Sequence, residues 1–221
     1  MNQSTLARSI GCNSAYNNKL FKDYLLNDHE YQIPFETFYF EANRYLIEEE
    51  QIVDSLYIIA SGVVIEKQAD TIRCFLGREE YIGTELLFYD KAKTIYSLMT
   101  LTKVKVYKIS FQSIREKLKQ KPIGYLSLNE VLVHKIILLT NRLVSADNSY
   151  EKILQLLEYF ATIYGKEKNN TIYIRKFFTK KMIASYLHVS YATVVSICKR
   201  LVVDGILHDE PHGMILYPAN M

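Results

Sequence analysis

Cysteine, glycine and proline are all scarce in this chain of 221 residues. The 8 glycines and 4 prolines are too few for a collagen-like or low-complexity architecture. The 3 cysteines, Cys12, Cys74 and Cys198, lie far apart, and none belongs to a CxxC pair. These features exclude a secreted disulfide framework and a zinc ribbon.

Long apolar runs and a large charge of one sign are also lacking. The longest runs, such as Leu56–Ala60 and Ile136–Leu139, fall far short of the about 18–20 residues that span a bilayer. The segment Met1–Cys12 lacks the apolar core of a signal peptide. A net charge of +3 does not by itself indicate nucleic acid or a membrane. We therefore expect a soluble, cytoplasmic protein with no membrane partner.

Hydrophobic residues make up 49% of the chain. Their spacing divides the chain into three regions. Residues 1–110 contain short strands separated by glycines, which predicts an antiparallel β-roll of the cyclic-nucleotide-binding-like, jelly-roll type as a sensor domain. Residues 111–146 change to a helical period, and residues 147–221 begin with a polar hinge. The predicted fold class is therefore α+β.

The second region predicts a long helix with one continuous apolar stripe. Ser110 is a suitable N-cap for a helix over Phe111–Gln120, and a longer helix then runs from about Pro122 to Val144. A stripe near heptad spacing is typical of a helix that packs against a partner, although packing on its own domain is the alternative. The dimer interface is expected at Leu128, Leu132, Ile136, Leu139 and Leu143.

Residues 179–201 have the spacing of a helix-turn-helix. The small Ala184 lies where a second helix must cross the first closely, and Val189 fills the turn between them. The apolar face of the second helix is predicted to consist of Val194, Ile197 and Leu201. Such a helix can enter the major groove of DNA while the first crosses the backbone.

Three further features complete a winged helix-turn-helix. His188 occupies a turn position that is often glycine, and histidine can adopt the positive φ required there. Ser190 can cap the second helix. Residues 204–208 and 214–217 predict a β-hairpin, which is the wing.

The excess positive charge lies entirely in the third region. Residues 150–221 hold nine Lys and Arg against six Asp and Glu, whereas residues 1–149 hold 18 of each sign. Within residues 166–181 there are six positive residues and one negative residue. A cluster at the first helix favours phosphate contacts through Lys180 and Lys181 over an ordinary solvated surface.

The order of roll, long helix and winged helix-turn-helix resembles the Crp/Fnr superfamily of bacterial transcription regulators. The resemblance rests on Leu56–Val64 and Tyr81–Phe88 in the roll, and on Thr179–Ala184 and Ser190–Val194 in the DNA-binding region. It implies a homodimer that reads a pseudo-palindromic site on double-stranded promoter DNA, and contact with RNA polymerase if the protein is an activator. The implied DNA-binding residues are Thr179, Lys180, Lys181, Ser190, Tyr191, Ala192, Thr193, Ser196, Lys199 and Arg200.

Base recognition departs from that of the cyclic-AMP-type members. Those members place Arg, Glu and Arg where this chain has Tyr191, Ala192 and Ser196. Bidentate recognition of guanine by arginine is therefore not available at these positions, and we expect a different operator sequence.

The resemblance also implies a possible effector pocket at Gly83, Thr84, Glu85 and Thr94. Cyclic-AMP-binding members have a glutamate directly after the glycine and an arginine for the phosphate, where this chain has Thr84 and Thr94. A buried cyclic phosphate without a bidentate partner is poorly compensated, so cyclic-nucleotide binding is not expected. Lys91 or Lys93 is the alternative phosphate partner, on the sole ground that both lie near Thr94 in the sequence.

No cofactor or metal is predicted. Cys12 alone cannot hold an iron–sulfur cluster near the N-terminus. His29 and His134 leave haem as an alternative, although single histidines are more often structural. His208 and His212 superficially resemble a metal cluster, but they lie in the predicted wing turn.

Two other function classes compete with a regulator. An enzyme is not expected, because the chain has no HExxH, GxSxG or Walker-type motif. The alternative is a small-ligand-binding signalling module whose C-terminal domain contacts proteins. Cys198 lies on the second helix, where oxidation can perturb DNA binding, but a small packing residue is the simpler interpretation.

Overall fold

The structure is a computed structural model that describes residues 18–144 and 148–218. The chain forms two compact units, which we call the roll unit and the helix-turn-helix unit. The roll unit consists of Met1–Ile65 and Leu76–Val144, and the helix-turn-helix unit of Glu66–Phe75 and Ser145–Met221. No helix in the described ranges is long and apolar enough to cross a membrane.

The roll unit begins with helix α1 over residues 18–26. The strands that follow are β1 (Glu36–Phe40), β2 (Tyr45–Ile47), β3 (Ser55–Ser61), β4 (Val64–Gln68), β5 (Thr71–Leu76), β6 (Tyr81–Ile82), β7 (Ser97–Thr100) and β8 (Val104–Ser110). The last residues of β4 and most of β5 belong to the helix-turn-helix unit. They form two four-stranded sheets with the orders β1-β8-β3-β6 and β2-β7-β4-β5. Strand β8 pairs antiparallel with both β1 and β3. The predicted antiparallel β-roll is confirmed.

Apolar side chains that alternate along the strands form the core of the roll. Leu56 and Ile58 on β3 and Val106 on β8 are fully buried. At the turn after β3, Gly62 has φ +96°, and a Cβ atom there would lie 2.4 Å from the carbonyl oxygen of Lys103. Only glycine meets both conditions at this turn.

Two helices complete the roll unit, α2 (Phe111–Gln120) and α3 (Gly124–Val144). The Ser110 hydroxyl accepts a hydrogen bond from the backbone N–H of Ser113 at 3.1 Å, as expected of an N-cap. Helix α3 begins at Gly124 rather than at Pro122, because residues 122–123 form a turn.

The apolar residues of α3 divide between two faces. Leu128 and Val131 are buried within the roll unit, so Leu128 is not available to a partner, contrary to its predicted place in the dimer interface. Leu132 is half-buried. The exposed apolar residues, which we call the outer face of α3, are Leu126, Val133 and Ile136. The side chains of Leu139 and Leu143 lie outside the described residues.

The helix-turn-helix unit contains α4 (Ser149–Tyr164), β9 (Lys166–Lys168), β10 (Thr171–Arg175), α5 (Lys180–Leu187), α6 (Tyr191–Val203), β11 (Leu207–Glu210) and β12 (Gly213–Leu216). Its sheet has the order β11-β12-β10-β9, and the antiparallel hairpin β11–β12 is the wing.

An aromatic cluster forms the core of this unit. The rings of Phe160 and Phe178 stack with their centroids 4.0 Å apart, and Phe75 from β5 meets both edge-on at 4.9 and 5.4 Å. Ser185 on α5 accepts a hydrogen bond from the backbone N–H of Ile72 at 3.1 Å. Residues 66–75 therefore fold as part of this unit, although they come from a different part of the sequence.

Candidate functional site

Helices α5 and α6 form the helix-turn-helix through local capping. The Thr179 hydroxyl accepts from the backbone N–H of Met182 at 3.2 Å, and the Ser190 hydroxyl accepts from that of Thr193 at 3.0 Å. Between the helices, His188 has φ 53° and ψ 41°, the left-handed conformation that the turn requires. Histidine therefore adopts, at this turn, the left-handed conformation for which glycine is commonly used.

The buried face of α6 differs by one residue from the expected one. Val194, Cys198 and Leu201 are buried, whereas Ile197 is only half-buried. The spacing of three and four residues between buried positions follows the helical period. This rotation places Cys198 in the core as a small packing residue.

Five of the ten candidate DNA-binding residues are exposed and take no part in the helix caps or in the contacts of Lys180 and Arg200. Tyr191 is 58% exposed at the first turn of α6. The others are Lys181, Ala192, Ser196 and Lys199. They form one surface, which we call the recognition surface, at the outer side of α6 and the start of α5.

The other five candidates contact residues of their own unit. Thr179, Ser190 and Thr193 take part in the two helix caps, and the hydroxyls of Ser190 and Thr193 lie 2.7 Å apart. Lys180 forms an ion pair with Asp209 on the wing strand β11. Sequence reasoning missed this pair because the two residues lie 29 positions apart and no local pattern connects them.

Arg200 contacts the start of α4. Its Nε atom lies 3.8 Å from Asp204, and its guanidinium lies 4.8 Å from the centre of the Tyr150 ring. The Tyr150 hydroxyl also donates to Asp204 at 3.0 Å. Arg200 therefore joins the end of α6 to the first turn of α4.

The basic cluster within residues 166–181 is largely exposed to solvent. Its exposed members are Lys166, Lys168, Arg175, Lys176 and Lys181. Arg175 lies opposite Gly213 in the sheet, next to the wing turn. Arg175 and Lys176 therefore lie at the wing turn and Lys181 at the start of α5, whereas Lys166 and Lys168 lie on β9 at the opposite edge of the sheet.

The predicted effector pocket lies in the roll unit. Gly83 has φ 89° and precedes a short 3₁₀ helix over Thr84–Leu86. Thr94, at the position of the phosphate-binding arginine, is buried, and its hydroxyl donates to the carbonyl oxygen of Glu48 at 3.0 Å. It offers no positive charge to a phosphate.

Glu85 is held within the chain. Lys135 on α3 donates to its carboxylate at 3.0 Å, and the Tyr96 hydroxyl donates to the other oxygen. Nearby, burial raises the pKa of Glu80 to about 7, while Lys135 and the backbone N–H of Gly77 act in the opposite direction. Sequence reasoning found Glu85 but missed Lys135 and Tyr96, since only the fold brings α3 to this part of the roll.

Comparison with known proteins agrees with this architecture. Residues 37–121 match the family model of the cyclic nucleotide-binding domain. The c-di-GMP-responsive global regulator CLP of Xanthomonas campestris has 16% identity and a TM-score of 0.70, over 83% of this chain and 94% of that one. A cyclic nucleotide-binding domain containing protein of Listeria monocytogenes has 20% identity and a TM-score of 0.64, over 97% and 98%.

A transcriptional regulator of the CRP/FNR family from Thermus thermophilus has 17% identity and a TM-score of 0.58, over 82% of this chain and 93% of that one. The chain has the Crp/Fnr fold. At these identities the likeness concerns the fold, and it confirms the fold that the resemblance implied. A search of curated proteins finds no match.

Within the Crp/Fnr fold, Cys198 is protected from reaction. Burial raises the pKa of its thiol to about 11, and the residue is 2% exposed. Since the thiolate is the reactive form, we expect Cys198 in the folded protein to resist alkylation at neutral pH. Iodoacetamide labelling followed by peptide mass spectrometry measures this, with the denatured protein as the fully labelled control. Rapid labelling of Cys198 in the native protein would contradict the expectation and favour a redox role.

Proposed function

We propose that this protein is a sequence-specific DNA-binding transcription regulator of the Crp/Fnr type. The observation that carries the proposal is the recognition surface, where Tyr191, Ala192 and Ser196 are exposed at the outer side of α6 in a winged helix-turn-helix. A helix presented in this way fits the major groove. Lys181 and Lys199 flank this surface and supply charge for the phosphates.

The regulator acts as a homodimer on a pseudo-palindromic promoter site. The outer face of α3 presents Leu126 at 64%, Val133 at 45% and Ile136 at 60% exposure along one side of the helix. An apolar stripe of this kind on a long helix is typical of pairing with a second helix. Pairing of two copies would bring two recognition helices to two half-sites. As an activator it would also contact RNA polymerase.

DNA binding is tested with a duplex selected by the protein from a random library. We expect binding that weakens with salt, and the double replacement of Lys181 and Lys199 by alanine should lower the salt slope by about 3.6, since the dimer loses four phosphate contacts and each accounts for about 0.9. Fluorescence anisotropy across a salt series measures this. The matched control replaces Lys19 and Lys119, two exposed lysines of the roll unit, and should leave the slope unchanged.

Failure to select any duplex over random DNA would reject the regulator. It would favour the alternative of a ligand-binding module whose C-terminal domain contacts proteins. Catalysis is not part of the proposal, and the described residues include no group of three or more His, Cys, Asp or Glu able to hold a metal ion.

The regulator does not depend on cyclic AMP and is proposed to need no cofactor. Thr94 donates to Glu48, and Glu85 is paired with Lys135, so the pocket lacks a free cation for a cyclic phosphate among these residues. We expect isothermal titration calorimetry with cyclic AMP and cyclic GMP to show no saturable heat. Binding of the selected duplex by the same preparation is the control for active protein. A saturable signal with either nucleotide would contradict this part of the proposal.

A further inference from the structure

The ion pair between Lys180 and Asp209 joins two parts of the helix-turn-helix unit. Lys180 is the first residue of α5, and Asp209 lies on the wing strand β11. The two side chains are 25% and 43% exposed, so the pair is partly shielded from solvent.

Strand β11 packs against α6 but has one strand partner among the described residues. It lies at the edge of its sheet and pairs with β12 alone. Leu207 at its start is buried, but His208 and Asp209 are exposed. An anchor at Asp209 therefore restrains the part of the strand that approaches the wing turn.

The first turn of α5 also favours an internal partner for Lys180. The N-terminus of a helix carries a partial positive charge, so a lysine at the first position is unfavourable without a nearby anion. Asp209 provides that anion within the unit. The neighbouring Lys181 is exposed and remains directed to solvent.

We propose that Lys180 is a positioning residue that holds the wing against the helix-turn-helix through Asp209, and that Lys181 rather than Lys180 contacts DNA phosphate. This inference rests on the proposed DNA binding. It assigns different roles to Lys180 and Lys181, which the sequence alone predicted to act alike.

The test uses the full-length protein and its selected duplex. The variants are Lys180→Met, Asp209→Asn and the reciprocal pair Lys180→Asp with Asp209→Lys, and Lys181→Met is the matched control. We expect each single variant of the pair to weaken binding about two- to fivefold, the range of a partly exposed ion pair, with an unchanged salt slope. The reciprocal pair should recover the affinity. Lys181→Met should lower the salt slope by about 1.8, because the dimer loses one phosphate contact of about 0.9 in each copy.

Hydrogen exchange of the wing provides a readout that does not depend on DNA. Amides of β11 and β12 should exchange faster in Lys180→Met and Asp209→Asn, and at the wild-type rate in Lys181→Met. A salt slope lowered by about 1.8 in Lys180→Met would overturn the inference, because it would identify Lys180 as a phosphate contact in each copy of the dimer. Tighter binding by Asp209→Asn would also overturn it, since release of Lys180 would then improve contact with DNA. Failure of the wild type to select a duplex would reject the proposed function instead, and the exchange result would still test the anchor.

Discussion

Replacement of Val133 or Ile136 by glutamate should convert the protein to a monomer and lower its affinity for the operator by more than about 100-fold, the lower range of what two linked binding sites gain. Both side chains lie on the outer face of α3, at 45% and 60% exposure. In a two-fold dimer each substitution introduces one carboxylate per copy into the helix pair, where like charges face each other without solvent. Sedimentation velocity and anisotropy measure the two effects.

The control is Ile52→Glu, since Ile52 is 54% exposed and lies outside α3. It should leave both the oligomeric state and the affinity unchanged. Dimers that persist in Val133→Glu and Ile136→Glu would show that the outer face of α3 is not the interface. Thermal melting of the variants distinguishes loss of the dimer from unfolding of the chain. Both residues are exposed in the single chain, so neither substitution should unfold it.

Replacement of Phe160 by alanine should lower the free energy of unfolding of the helix-turn-helix unit by about 3–5 kcal/mol, the usual cost of removing a buried aromatic ring. Phe160 is fully buried, stacks on Phe178 and meets Phe75 at its edge. Its loss leaves a cavity that the surrounding rings fill only in part. Urea denaturation followed by tyrosine fluorescence and circular dichroism measures the change.

Phe88→Ala is the matched control, because Phe88 is 53% exposed in the roll unit. Its cost should stay within about 0.5 kcal/mol, as for most surface substitutions. An equal, small loss in both variants would show that the aromatic cluster does not stabilise its unit. Operator binding by Phe160→Ala should fall with the folded fraction and recover at lower temperature.

Features with a local cause were predictable from the sequence. The limits of α2 followed from the Ser110 cap and the proline after the helix, and the structure has the same limits, Phe111–Gln120. The helix-turn-helix followed from the small Ala184, the turn and the helical period of the second helix. Each of these signals operates within a few residues, so the sequence contains it in full.

Features that depend on distant residues were not predictable. The apolar stripe of α3 has two possible partners, its own roll and a second copy, and the period alone does not distinguish them. The structure assigns Leu128 to the roll and exposes Val133. The pairs Glu85–Lys135 and Lys180–Asp209 join residues 50 and 29 positions apart, which no local pattern records.

The place of residues 66–75 has a practical consequence for dissecting the protein. A C-terminal fragment that starts at the hinge contains every helix-turn-helix residue but omits Phe75 and the backbone N–H that Ser185 binds. Such a fragment would expose the aromatic faces of Phe160 and Phe178 to water. The helix-turn-helix unit is therefore not a contiguous segment that one truncation can isolate.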